Sequence, residues 1–339
     1  VTAKPPINTD PAKNSLESIG PRWHPKKTLV LSFNWGLAQI YLSLAWIHQQ
    51  LLKKQKWTSN APPLPLLIIG SYRMGGAGKT SLTICLYKKL QKMGYRPLVL
   101  TKKNPGLKIP SIFKDKPLCQ DSDDTLWIRN QTGANVVCTQ NRFKAWMEAS
   151  EQNKFDCILS DDGLQDPRLL GATRLLCHPR LEWPILPRPF PLGPDRAILR
   201  WQKTNHAYLF DIKKMVDLNA GPMCFSASLK IPDDLKTRQF ILLTGVGNPH
   251  GVIKLLKENN LEPFLHKILF DHSQATHKVL NKLLAKYPDY LIALTLKDAV
   301  RLPEIPPRVR VLNREVRVSS SFQIWLHNWA QTQVRRPQN

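Results

Sequence analysis

The apolar pentapeptide Leu66–Gly70 (LLIIG) runs closely into Gly75-Gly76-Ala77-Gly78-Lys79-Thr80 and then into Ser81–Met93 (SLTICLYKKLQKM), which has helical character. A buried strand, a glycine-rich turn and a helix in that order leave few folds open, because the turn then lies at the carboxyl edge of a parallel sheet. Glycines let backbone N–H groups turn inward around phosphate oxygens, and the helix N-terminus adds positive potential. Lys79 would reach the β- and γ-phosphates, and Thr80 would offer its hydroxyl to Mg²⁺. Gly75, Gly76, Ala77, Gly78, Lys79, Thr80 and Ser81 therefore form the candidate ATP-binding set. The strict GxxxxGK[ST] pattern is not met, since Arg73 stands where its first glycine would be, so the loop is a GGxGKT variant.

Strands recur at Pro97–Thr101, Asn135–Cys138, Cys157–Ser160, Leu175–Cys177, Ala207–Phe210, Phe240–Thr244 and Leu291–Thr295, with helical patterns between many of them, among them Pro249–Asn259 and Thr276–Lys286. That alternation predicts an α/β fold built on parallel sheets with crossovers. The polar stretch LKIPDDLKTR, just before a fresh strand, turn and helix, divides the chain into a phosphate-loop domain over 58–235 and a smaller α/β domain over 236–339. A second site signal is FDCILSDDG, an apolar strand ending in Asp161-Asp162. At the carboxyl edge of a parallel sheet such acids would organise Mg²⁺ beside the phosphate loop. Asp-Gly is also ordinary turn chemistry, and the pattern does not choose between the two aspartates.

Forty-nine lysines and arginines against 25 acidic residues give a net charge of +24, which favours an anionic partner: nucleic acid, an acidic membrane surface or a phosphorylated substrate. With 42% hydrophobic and 22% charged residues, a disordered chain and a multi-span membrane protein are both excluded. The six cysteines are widely scattered, so neither a zinc knuckle nor a dense disulfide framework is present. Residues 1–28 read as a loose leader. From Leu29 to Leu52 there is no acidic or basic residue apart from His48, and Lys53, Lys54 and Lys56 follow at once. Asn34, Gln39, Gln49 and Gln50 argue against a plain span, whereas Trp35, Tyr41, Trp46 and the flanking lysines suit a helix lying at an anionic membrane surface; a buried helix of the fold is the alternative. Residues 29–57 are thus expected to be a membrane-associated helix.

Taken together, LPLLIIGSYRMGGAGKTSLT, SDDTLWIRNQTGANVV, ILSDDGLQDPRL, RPFPLGPDR, LLTGVGNPHGVIKLL, FDHSQAT and TLKDAVRL follow the order and spacing of tetraacyldisaccharide 4′-kinases, which the chain resembles from about residue 29 to its C-terminus. The resemblance implies ATP- and Mg²⁺-dependent phosphorylation of the 4′-hydroxyl of a tetraacylated disaccharide 1-phosphate in lipid A biosynthesis. It also implies a place at the cytoplasmic face of the inner membrane of a Gram-negative bacterium, an active site in the cleft between two domains, and an anionic glycolipid rather than nucleic acid as the reason for the positive charge. Carried over by position, Asp123 in Ser122-Asp123-Asp124-Thr125 resembles the family's base for the sugar hydroxyl. His272 in Asp271-His272-Ser273 resembles the histidine that orients or tunes it.

The departures cluster away from the phosphate loop. Asp166 ends what the family shows as DDGLQH, Lys102-Lys103-Asn104 replace part of TRGYG, Ser273 replaces the second histidine of DHH, and Leu296 replaces the glutamate of TEKDA. Ile185-Leu186-Pro187-Arg188 stand for GNGR. A divergent kinase fits this pattern, as does an ATP-binding homologue without turnover. A deviant phosphate-loop ATPase of the partitioning or metallochaperone type would carry lysine before the paired glycines, where this chain has Met74. A nucleic-acid binder would show zinc spacing, aromatic RNA-binding motifs or a condensed basic helix, and none is seen.

Overall fold

The structure is a computed structural model. It describes residues 25–52, 63–71, 78–103, 122–169, 171–178, 206–211, 223–269 and 276–334, with backbone alone at 25–34, 49, 52, 178 and 206–211. The leader up to residue 24, Gly75, Gly76, Ala77 and His272 lie outside the described residues.

In chain order the elements are α1 (Pro25–Leu52), β1 (Leu66–Gly70), α2 (Lys79–Lys92), β2 (Pro97–Lys102), α3 (Asp123–Thr132), β3 (Val136–Thr139), α4 (Arg142–Glu151), β4 (Cys157–Asp161), β5 (Thr173–His178), β6 (His206–Asp211) and β7 (Cys224–Lys230). There follow β8 (Phe240–Thr244), α5 (Pro249–Lys257), β9 (Leu265–Ile268), α6 (Thr276–Lys286), β10 (Leu291–Thr295), α7 (Leu296–Ala299), β11 (Val309–Val318) and α8 (Ser320–Gln333). The described strands form one sheet in the order β3-β2-β4-β1-β5-β6-β7-β11-β10-β8-β9. Every pairing is parallel except that of β11 with β7. β1, β4, β8 and β10 are buried at every position, as strands covered on both faces must be, which is why they read as apolar runs that turn polar only at the carboxyl end, at Ser160-Asp161, Thr244 and Thr295.

Helices cover the sheet on both sides. Leu82, Leu86 and Leu90 of α2 pack with Ile128 of α3 and with Phe322, Leu326 and Trp329 of α8 against Leu67, Leu159 and Leu175. Phe143 and Trp146 of α4 cover Ile68, Leu100 and Ile158 on the opposite face. Farther along, Leu256 of α5 packs on Phe240 and Leu242, and Leu280 of α6 on Ile241 and Leu294. The chain crosses back at its end. Trp329 Nε1 donates to Thr173 Oγ1 at 2.9 Å, so α8 belongs to the core around β1 although β11 follows β10 in sequence.

β11 decides where the two halves meet. Its first residues pair in parallel with β10, with Thr295 opposite Leu312, and its last pair antiparallel with β7, with Asn313 opposite Lys230 and Val318 opposite Phe225. The strands on the β10 side therefore run opposite to those on the β1 side and are displaced along β11. As a result, the carboxyl edges of the two sets face one another.

Candidate active site

The helix that follows β1 starts at Lys79 from a left-handed N-cap, Gly78, with φ 73°. A Cβ there would lie 3.3 Å from the Phe225 ring and 3.4 Å from Arg314 Nη2, a tight fit, so the left-handed backbone and the close approach of these side chains both favour glycine. Lys79 Nζ lies 3.6 Å from Asp162 Oδ2. The Thr80 hydroxyl donates to Asp161 Oδ2 at 2.9 Å and lies 3.4 Å from Asp124 Oδ1. Thr83, one helical turn on, donates to Asp161 Oδ1 at 3.3 Å. Of the candidate ATP-binding set, Gly78, Lys79, Thr80 and Ser81 are described, and they open α2 against Asp161 at the end of β4 and Asp162 just after it.

Those aspartates play different parts. Asp161 is the last residue of β4 and 6% exposed. Burial raises its pKa to about 7; Asp124 and Asp162 push in the same direction, while Lys79 and the Thr80 hydroxyl oppose them. Asp162 has left the strand in a left-handed conformation at φ 65°, its N–H donating to the Ile69 carbonyl and its own carbonyl accepting from Ser160 Oγ at 2.6 Å. Behind both sits Arg142, at the start of α4, whose Nη2 donates to the Asp161 carbonyl at 2.9 Å. Burial lowers the Arg142 pKa, and the carboxylates of Asp162, Asp161 and Asp166 offset part of that. Asp166 closes its own turn by accepting from the Arg168 backbone and guanidinium.

Asp123 and Asp124 are the first two residues of α3. Ser122 caps the helix through the Thr125 N–H, and the hydroxyls of Ser122, Thr125 and Thr101 are linked at 2.8 and 2.6 Å, which ties the helix start to the carboxyl end of β2. Asp123 is 1% exposed, and Arg301 Nη2 donates to its Oδ2 at 2.6 Å. Lys297 Nζ is 3.5 Å from Asp124 Oδ1. Both cations belong to the turn after β10, across the gap between the facing carboxyl edges. Asp123, Lys79, Thr80, Asp161 and Asp162, the described site residues expected from the sequence, come together here, joined by Asp124, Arg142, Lys297 and Arg301, to which the sequence assigned no role. Asp124 was visible beside Asp123, and Lys297 and Arg301 lie in the TLKDAVRL segment that carried the resemblance without a role.

A family model described as tetraacyldisaccharide-1-P 4′-kinase, LpxK, matches residues 31–331. The chain belongs to this family. A tetraacyldisaccharide 4′-kinase from Vibrio parahaemolyticus is 26% identical over 303 residues, covering 84% of this chain and 87% of the relative. One from Bartonella tribocorum is 28% identical over 277 residues, covering 76% and 79%. The fold matches a crystal structure of LpxK from Aquifex aeolicus in complex with ATP with a TM-score of 0.59 at 19% identity, over 89% of this chain and 98% of that one. The α/β fold on a parallel sheet, read from the sequence, is thus the observed one. In this fold the facing edges bring Lys79, Thr80, Asp123 and Asp161 to one region of the sheet.

Proposed function

We propose the following division of labour for the ATP-dependent 4′-phosphorylation in lipid A biosynthesis that family membership assigns to this chain. The observation that carries it is the convergence of α2, α3 and the β4 acids at one sheet edge, with Thr80 bonded to Asp161 and within 3.4 Å of Asp124. Lys79, resting against Asp162, turns to the β- and γ-phosphates when ATP enters and neutralises charge as the γ-phosphoryl transfers. Asp123 accepts the proton of the 4′-hydroxyl while that oxygen bonds to the γ-phosphorus and the bond to the bridging oxygen breaks, releasing ADP.

The donor set also suits Mg²⁺. A carboxylate made less acidic by burial and then by its neighbouring carboxylates, with a hydroxyl at 2.9 Å, is the oxygen-rich, negatively charged setting that a hard cation prefers. Thr80 and Asp161 would hold it, with Asp124 nearby and Asp162 occupied with Lys79. Among the described residues no three His, Cys, Asp or Glu side chains form a metal group, and Mg²⁺ commonly uses one or two carboxylates with waters and phosphates. When bound it would neutralise phosphate charge.

The substrate in this reading is a tetraacylated disaccharide 1-phosphate at the cytoplasmic face of the inner membrane. Support comes from α1, which buries Ala38 and Leu42 but exposes Trp35, Ile40, Leu44, Trp46, Ile47 and Leu51. Among the described residues no helix is long and apolar enough to cross a membrane. Ile40, Leu44, Ile47 and Leu51 recur at three- and four-residue steps on one exposed side of α1, as suits a helix lying in the interface. Incubation with ATP, Mg²⁺ and the disaccharide 1-phosphate should add one phosphate by mass spectrometry, and Asp123→Asn should cut the rate of that gain strongly, leaving a small residual rate, while ATP still binds. No gain with the wild-type chain, or an unimpaired Asp123→Asn enzyme, would refute the assignment.

A further inference from the structure

We propose that Arg301 is the positioning residue of Asp123, and that Asp298 in turn fixes Arg301; the inference rests on the reading of Asp123 as the base. Asp123 is almost fully buried at the start of α3, and a buried carboxylate needs a fixed partner. Arg301 supplies one from a point 178 residues away, through Nη2 to Oδ2 at 2.6 Å. Its other terminal nitrogen, Nη1, lies 3.6 Å from Asp298 Oδ1.

Asp298 is anchored in turn. It is 0% exposed, and its two oxygens accept from the Gly245 N–H, at the end of β8, at 3.0 and 3.1 Å. The Thr295 hydroxyl donates to Oδ2 at 2.6 Å, and the Asp298 N–H donates back to that hydroxyl at 3.3 Å. Burial raises the Asp298 pKa while these donors, Arg301 and Lys297 counter it. The chain of contacts thus runs from the carboxyl ends of β8 and β10, through Asp298 and Arg301, to Asp123. Lys297 on the same turn holds Asp124. Two cations of one short turn meet two successive acids of α3, so the half of the sheet carrying β8 and β10 sets the orientation of a base carried by the other half. A planar guanidinium suits this bridging task, since its terminal nitrogens serve two carboxylates in fixed geometry.

The experiment uses the full chain with ATP, Mg²⁺ and the disaccharide 1-phosphate. Arg301→Met should lower kcat about 100-fold, the scale of a misplaced catalytic group, with ATP Kd and KM within about twofold of wild type. Arg301→Lys should recover a substantial part of the rate, and Asp298→Asn should lower kcat in the same direction as Arg301→Met. In an Asp123→Asn background, Arg301→Met should cost nothing further, because the group it positions no longer acts. Should the methionine variant fail to fold, Arg301→Gln is read by the same measures. A kcat within twofold of wild type for either neutral variant overturns the inference, as does an equal loss of residual rate in the Asp123→Asn background. An active Asp123→Asn enzyme is a different failure, that of the base reading itself.

Discussion

Replacing Asp161 with asparagine should make the ligand-free protein more stable, and increasingly so as the pH rises. In the fold the Asp161 pKa stands near 7 against 3.8 for an ordinary aspartate, chiefly because the carboxyl is buried and then because Asp124 and Asp162 repel its charge. A group raised in the native state contributes its full stability below the unfolded pKa and loses it as pH climbs through the folded one. Relative to acid, stability falls by about 4 kcal/mol at pH 8, where the native carboxyl is charged, and by about 2 kcal/mol at pH 5, where only the unfolded chain ionises it. Asparagine removes that cost but keeps one acceptor oxygen where Thr80 and Thr83 both donate, a loss of about 1 kcal/mol. The net gain should therefore be about 1 kcal/mol at pH 5 and about 3 kcal/mol at pH 8. Urea unfolding in chelator across pH 5 to 8, with an unchanged m-value, measures it. The same substitution should collapse phosphoryl transfer and reduce the stabilisation conferred by ATP and Mg²⁺. A pH-independent difference, or an asparagine variant less stable at pH 8, would show that Asp161 does not carry the repulsion assigned to it.

Lys79→Ala should nearly abolish transfer while thermal unfolding stays cooperative, because the lysine meets Asp162 in the free protein and phosphate during the reaction; near wild-type turnover would remove the phosphate-loop assignment. Gly163→Ala should destabilise by about 1–2 kcal/mol, since φ is 127° and a Cβ would press on Ser160 Oγ at 3.3 Å and Arg142 Cδ at 3.4 Å; an unchanged unfolding midpoint would contradict this. Thr125→Val breaks the hydroxyl chain between Thr101 and Ser122 and should cost about 1–3 kcal/mol, read by urea unfolding, with kcat falling more than ATP affinity. Removal of residues 1–58 should shift the protein off vesicles containing anionic lipid in a flotation assay, and equal partition would take α1 out of the account.

What the sequence alone determined is what is written locally. The phosphate loop lies between a strand and a helix adjacent in the chain, and β1, β4, β8 and β10, being covered on both faces, announce themselves as apolar runs. Their carboxyl ends follow, and with them Lys79, Thr80, Asp161 and Asp162. β7, β9 and β11 were not legible, because edge or half-exposed strands bury few positions; in β11 the polar run Asn313-Arg314-Glu315 falls where the strand changes partners. Nor was the joint between α3 and the turn after β10. Arg301 and Asp123 are 178 residues apart, and no periodicity records that β11 lays two opposed sets of strands edge to edge. A charge buried on one side of that joint requires its partner from the other, and only the assembled sheet decides which residue supplies it.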